Sequence, residues 1–375
     1  AFIVGMAELI IGGMLDLVAE DLGVSIGKAG LLITAFALVF GTSGPVLLFL
    51  SGQMDRKRVT LVALCVFLLG KLLAIFSVNY SMLLISRILS AASGALLTVL
   101  CLTLAAHISR PEYRGRAIGL VVMGISGSIV LGLPIGVGMG HAFGWRSPFI
   151  LIGVLTIFLM IAVFFFFGTI QTKPPVPLKH QLLALQDKKI STAHLTTFFF
   201  MTGHFALYGY LTPFVIERMN FDGSLVTIMY FVYGAAAVSG SGLAGFFADR
   251  FGARRTLLTV IVLLIACLVI IPFVPVIIFW ILLIAWGMIS WSITPPIQSH
   301  LVQIAPKTAE IQQSLNNAAL HLGIAFGTWI GSFIVDRLSV QVNPLAGAVC
   351  VFVSLITVSV TLRQKEKVRQ KESYF

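Results

Sequence analysis

Twelve apolar stretches of about twenty residues follow one another along this chain, and nothing else in it constrains the fold as strongly. They cover approximately residues 1–19, 28–50, 59–78, 81–107, 116–140, 148–168, 193–216, 224–247, 256–274, 276–299, 311–335 and 343–362. A helix needs roughly 20 mainly apolar residues to cross about 30 Å of hydrocarbon, and in that medium a backbone must satisfy its own hydrogen bonds. The stretches lack the period-2 alternation of barrel strands, so the expected fold class is an all-α membrane protein with twelve transmembrane helices. With 58% hydrophobic and 10% charged residues, the chain is too apolar for a soluble globular domain.

A net charge of +11 would suit nucleic acid if it were spread over a soluble surface, but here it is topological. Loops after even-numbered spans, together with the C-terminal tail, carry 19 of the 25 Lys and Arg residues. The opposite side has Lys28, Arg146, Arg218 and Arg337, while Lys71 and Arg87 fall within spans. By the positive-inside rule both termini are cytoplasmic, and no nucleic-acid partner is expected. Cys65, Cys101, Cys267 and Cys350 all lie in apolar segments without paired spacing, so neither a disulfide framework nor a metal site is indicated. Ala1 already stands inside an apolar segment, read as a first span rather than as a cleaved signal peptide.

The longest break, residues 169–192, contains Lys173-Pro174-Pro175-Val-Pro177 and reads as a cytoplasmic linker, with Leu182, Leu183 and Leu185 able to form a short interfacial helix. It divides the chain into an N-terminal six-helix bundle (1–168) and a C-terminal one (193–362), followed by a basic tail (363–375). A charged motif repeats across this division. The second copy is Gly245-Phe-Phe-Ala-Asp249-Arg250-Phe-Gly252-Ala-Arg254-Arg255; the first, Ser51-Gly-Gln-Met-Asp55-Arg56-Lys57-Arg58, is degraded. An Asp at a helix end can accept hydrogen bonds from a neighbouring helix N-terminus, Gly permits close approach, and Arg bridges to carboxylates or lipid phosphates. Asp55, Arg56, Gly245, Asp249, Arg250, Gly252 and Arg254 are therefore candidates for a conformational latch; the alternative is a solvated turn that only enforces topology.

These patterns resemble the major facilitator superfamily, in particular its twelve-span drug/proton antiporter branch, over the whole chain. The intact motif lies between spans eight and nine, as in that family. Arg87, in Leu-Ile-Ser-Arg87-Ile-Leu-Ser-Ala-Ala-Ser-Gly94, looks like the branch's intramembrane arginine. Gly124, Gly132, Pro134 and Gly136 look like a variant antiporter motif, and Phe143-Gly144-Trp145-Arg146 like another family hallmark. Span seven, Gly203-His204-Phe-Ala-Leu-Tyr208-Gly-Tyr210-Leu-Thr-Pro213, is similar to bacterial purine-base, nucleoside and sugar efflux proteins. The resemblance implies two pseudo-symmetric six-helix bundles in a bacterial inner membrane, working by alternating access as a monomer on a small-molecule substrate.

Glu8, Asp16, Lys71 and Arg87 are the Asp, Glu, Lys and Arg residues placed within spans, and each is a functional candidate because a charge there is costly without a partner. Glu8 lies roughly 15 Å below the outer end of span one, and an eight-residue step rotates Asp16 by only about 80°, so both can face one cavity. Proximity of Arg87 would control whether Glu8 holds a proton. Glu8, Asp16 and Arg87 are the expected proton-coupling group; the bland readings are a permanent Glu8–Arg87 ion pair and a water-reaching Asp16. Lys71, about seven residues from an outer end, is expected to snorkel.

In the second half neutral polar groups replace the acids. His204 and Tyr208, one turn apart, Asn317 and His321, four apart on span eleven, and Trp286 on span ten make a neutral cavity suited to an uncharged heteroaromatic base, nucleoside or sugar. His204 could also titrate. Each of these residues could instead pack or bond between helices. No nucleotide-binding Gly-rich loop, metal cluster or nucleophile constellation is recognisable, so an enzyme is disfavoured and no cofactor is expected beyond a coupling proton. The leading expectation is proton-coupled export of a small neutral or weakly charged solute. Multidrug/proton antiport, supported by the Glu8 and Asp16 pair, and a non-transporting sensor or scaffold remain the alternatives.

Overall fold

The computed structural model describes residues 1–110, 113–168 and 187–372, with side chains to 360; most of the expected linker and the side chains of the basic tail lie outside the described residues. The described chain is helical. Eleven helices are long and apolar enough to cross a membrane: Phe2–Leu22, Ile26–Leu50, Arg56–Ile75, Tyr80–Ala105, Arg114–Phe143, Ser147–Phe166, Gly223–Phe251, Ala253–Phe273, Val276–Ile304, Ile311–Arg337 and Val340–Val360. The remaining span, the seventh, is a bent pair, Lys188–Tyr208 and Leu211–Met219, which turns by 44°. Counted as one broken span, it makes twelve.

The chain folds as two compact units: residues 1–176 with 209–231, and residues 177–208 with 232–375. In the first, spans one and five are packed backbone to side chain. A Cβ added at Gly132 would meet Phe2 and Met6, one at Gly136 would run into Ile10, and one at Gly140 into Met14. These three glycines are four residues apart and so form one face, the small-residue stripe that lets membrane helices approach closely. Gly124 lies outside the tight part of the stripe, with ordinary contact distances to Ala1 and Phe2. Pro134 has no N–H and would clash with the carbonyl four residues back; the helix absorbs it through a π turn over Ser128–Gly132.

The Phe143-Gly144-Trp145-Arg146 segment ties one end of this unit together. Gly144 takes φ +87°, a conformation open to glycine, and ends span five. Arg146 then reaches Asp21 at 2.9 Å and the Ser77 carbonyl at 2.8 Å, joining the end of span one, the end of span three and the start of span six. In the second unit, span seven packs along spans eleven and twelve at Gly203, Gly323, Gly327 and Gly347, each of which faces a backbone carbonyl of its neighbour.

Candidate functional site

Span one is not a continuous α-helix. Helical residues Phe2–Leu9 give way to a 3₁₀ segment, Ile10–Met14, and α-helix resumes over Leu15–Leu22. Such a break strands carbonyls that the next turn would have used. Arg87, fully buried in span four, supplies donors for two of them: its terminal nitrogens bond the carbonyl oxygens of Ala7 and Glu8, the latter at 3.0 Å. Gly12 O accepts from Tyr230 Oη at 3.3 Å. The Arg87 guanidinium also lies 4.1 Å from the Phe36 ring centroid, and the half-buried Glu8 carboxylate is in its electrostatic range. Glu8 and Arg87 are thus brought together, with the arginine anchored on the backbone of the acid's own turn.

Asp16 is in a different neighbourhood. Its Oδ1 is buried without a hydrogen-bond partner among the described residues, and so is Nε2 of His141 in span five. The two groups interact electrostatically, with Glu20 and Tyr230 also in range of the carboxylate. The α-helical rotation expected between Glu8 and Asp16 does not apply across the break, because five residues at about 120° each bring the step nearer 180°. Glu8 therefore turns to span four and Asp16 to span five and the start of span eight. Sequence reasoning missed His141, which falls just beyond the apolar stretch 116–140 but inside the helix Arg114–Phe143.

Lys71 requires a correction. It does not snorkel: it is fully buried, with Nζ 3.0 Å from Ser90 Oγ and 4.4 and 5.7 Å from the ring centroids of Phe67 and Phe149. At this level a Cβ on Gly70 would meet Ser90 and the Ser86 carbonyl, so spans three and four close together and leave the side chain no outward route. An ammonium enclosed here would forgo several kcal/mol of hydration. Aromatic faces return about 2 kcal/mol when desolvated. Arg87 is the charged group in its range, and it is of the same sign.

In the second unit, His204 is fully buried and both ring nitrogens are engaged. Trp286 Nε1 donates to Nδ1 at 3.2 Å, and Nε2 stands 3.3 Å from Tyr233 Oη. Indole N–H can only donate, so Nδ1 is an acceptor and the imidazole is the neutral Nε2–H tautomer. Its proton is directed to Tyr233, whose hydroxyl donates to Ser290 Oγ at 2.7 Å, and Ser290 donates to the Gly287 carbonyl at 2.8 Å. Tyr208 stacks on His204 with centroids 5.2 Å apart and lies 4.9 Å from Tyr233. His204, Tyr208 and Trp286 are therefore brought together, joined by Tyr233 and Ser290, which sequence spacing could not connect.

Asn317 and His321 do not join this cluster. The Asn317 side chain is exposed, and His321 Nδ1 lies 2.8 Å from the Asn317 carbonyl on its own helix. The buried polar face of span eleven is instead one residue over. Asn316 Nδ2 donates to Thr197 Oγ1 at 2.8 Å and lies 3.4 Å from His194 Nδ1, while His194 Nε2 meets Gln312 Oε1 at 3.0 Å. Gln312 and Asn316, four apart, supplied a signal for this face that Asn317 and His321 masked.

The two motif copies have different environments. Asp55 caps the helix that begins at Arg56, accepting from Arg58 N at 3.1 Å, and the buried Arg56 reaches the Ser51 carbonyl at 3.4 Å. In the intact copy Gly252 takes φ +87° and starts the next helix, but Asp249, Arg250 and Arg254 are exposed. Asp249 makes no hydrogen bond or ion pair among the described residues, and a Cβ at Gly245 would find only an ordinary contact with Pro295. Apolar cavities of about 380 Å³ in the first unit and 460 Å³ in the second include none of the proton or solute candidates.

The sequence profile described as Major Facilitator Superfamily matches residues 1–328. The MFS-type transporter YbcL of Bacillus subtilis (strain 168) is 33% identical over 361 residues, covering 95% of this chain and 92% of the relative. A probable sugar efflux transporter of Helicobacter pylori (strain P12) is 27% identical, covering 91% and 88%. Among solved structures, a bacterial homologue of the human lysosomal transporter Spinster, in an inward-facing and occupied conformation, superposes with a TM-score of 0.81 at 15% identity, covering 96% and 94%. With a broken first span held by an intramembrane arginine, twelve apolar spans and a family match over most of its length, this chain is a membrane transporter of the major facilitator superfamily.

Proposed function

We propose that this protein is a proton-coupled exporter of a small neutral solute, nucleoside- or purine-like, in a bacterial inner membrane with both termini in the cytoplasm. The observation that carries the reading is Glu8: a half-buried carboxyl at mid-span, in electrostatic range of a fully buried arginine fixed to the same turn. A carboxyl so placed changes its hold on a proton whenever the arginine moves relative to it. The buried His204, Tyr208, Tyr233 and Trp286 group gathers flat aromatic faces and neutral polar groups, which would suit an uncharged planar ligand in a state where the cluster opens. Sugars are the second reading, favoured by the name of the Helicobacter relative. Aromatic faces also stack on sugar rings. Multidrug antiport is weakened because Glu8 and Asp16 have separate partners. The exposed Asp249 suits a latch made in another state of the cycle.

The test is flux in proteoliposomes with an imposed pH gradient, using radiolabelled inosine, adenine and a hexose. Glu8→Gln is expected to abolish gradient-driven flux while leaving solute exchange at equal pH. Gradient-driven flux that survives Glu8→Gln removes Glu8 as the proton carrier.

A further inference from the structure

The proton-coupled reading uses Glu8 and Arg87 but leaves a third ionisable group unaccounted for in the same part of the first unit. Lys71 is enclosed by spans three, four and six and touches no solvent. An ammonium presents three donors, and one acceptor, Ser90 Oγ, is in reach. A neutral amine carries no charge to be solvated and can still donate one N–H to Ser90 Oγ across the 3.0 Å contact. From its own helix it faces Phe67, from span six Phe149, and from span four Ser90, none of them a carboxylate. The charged group in range is Arg87, whose guanidinium keeps its proton in every protein environment. The acid near Arg87 is Glu8.

We propose that Lys71 is a second proton-binding site of this transporter, a neutral amine in this conformation and an ammonium in another. The inference rests on the proton-coupled reading and extends it. With Arg87 permanently charged, two protonation states leave the enclosed group at the same net charge: Lys71 neutral with Glu8 protonated, and Lys71 charged with Glu8 ionised. A proton leaving Nζ and one arriving at the Glu8 carboxyl thus balance without an added buried charge. Arg87 links the two, because it lies in electrostatic range of both while its fork holds the carbonyls of Ala7 and Glu8.

The test needs no transported solute. Full-length protein labelled with ¹³C,¹⁵N-lysine is placed in lipid nanodiscs, and Lys71 is identified as the resonance lost in Lys71→Met or, if that variant does not fold, the one displaced in Ser90→Ala. The expected result is an amine-type ε-carbon and Nζ signal for Lys71 that converts to the ammonium type on acidification. An ammonium signal for Lys71 at every pH at which the protein stays folded overturns the proposal. The Glu8→Gln flux result is independent: its failure would fall on the transport reading and leave the Lys71 resonance to be judged by itself.

Discussion

A guanidinium carries five N–H donors in a fixed fork, and Arg87 uses two of them on carbonyls that the broken first span has left open. Lysine has the charge but not the fork. Arg87→Lys should therefore leave one of the two carbonyls unbonded and cost about 1–3 kcal/mol, read as a lower melting temperature in detergent. At His204 the reasoning runs the other way. In the neutral tautomer fixed by Trp286 and Tyr233, both ring nitrogens are engaged, so a second proton on Nδ1 would have to break the Trp286 bond. His204→Gln keeps an acceptor and a donor, and should show the parental pH profile of flux with reduced solute affinity. A changed profile would return His204 to the proton pathway. Polar residues in mid-span are legible in sequence because hydrocarbon makes them expensive, and Glu8, Arg87 and His204 stood out on that ground. Their partners were not. Tyr233, Ser290 and His141 come from other helices, and a tyrosine or serine in a span carries no comparable signal.

Among the elements, spans one and five fit through a stripe of glycines that leaves no room for a side chain. Gly136→Val places branched carbons where Ile10 now lies, and is expected to destabilise the first unit by about 1–3 kcal/mol. Thermal unfolding followed by the thiol reactivity of the half-buried Cys101, which lies in the first unit, would measure it, with Gly119→Val, at a position with open space, as the control. The existence of each span was legible from length and apolarity alone. Their interruptions were not, although Gly12-Gly13 and Pro134 stood where they occur. A 3.6-residue period presumes an unbroken helix, and five residues of 3₁₀ are enough to turn Asp16 away from Glu8. That single departure changed which residues form a site, and no sum of propensities foretells it.

For the whole molecule, the asymmetry of Lys and Arg predicts that the loop at Asp222 is outside and the loop at Arg58 inside. In a chain with its native cysteines replaced by alanine, Asp222→Cys should react with a membrane-impermeant maleimide in intact cells. Arg58→Cys should react only after permeabilisation; the reverse pattern would invert the topology. The family and the number of spans could be read from sequence because they depend on composition and motifs. In the folded chain, residues 209–231 follow the linker in sequence and group with the first unit. Within that unit Tyr210 is seated against Gly30, and Tyr230 bonds both Thr212 and Gly12. A fragment that stops in the linker lacks Tyr210 and Tyr230, and with them the packing at Gly30 and the bond to the Gly12 carbonyl. A fragment ending in the linker should be a poor substrate for independent folding and a good one for insertase or chaperone retention, and one ending after 231 should be released.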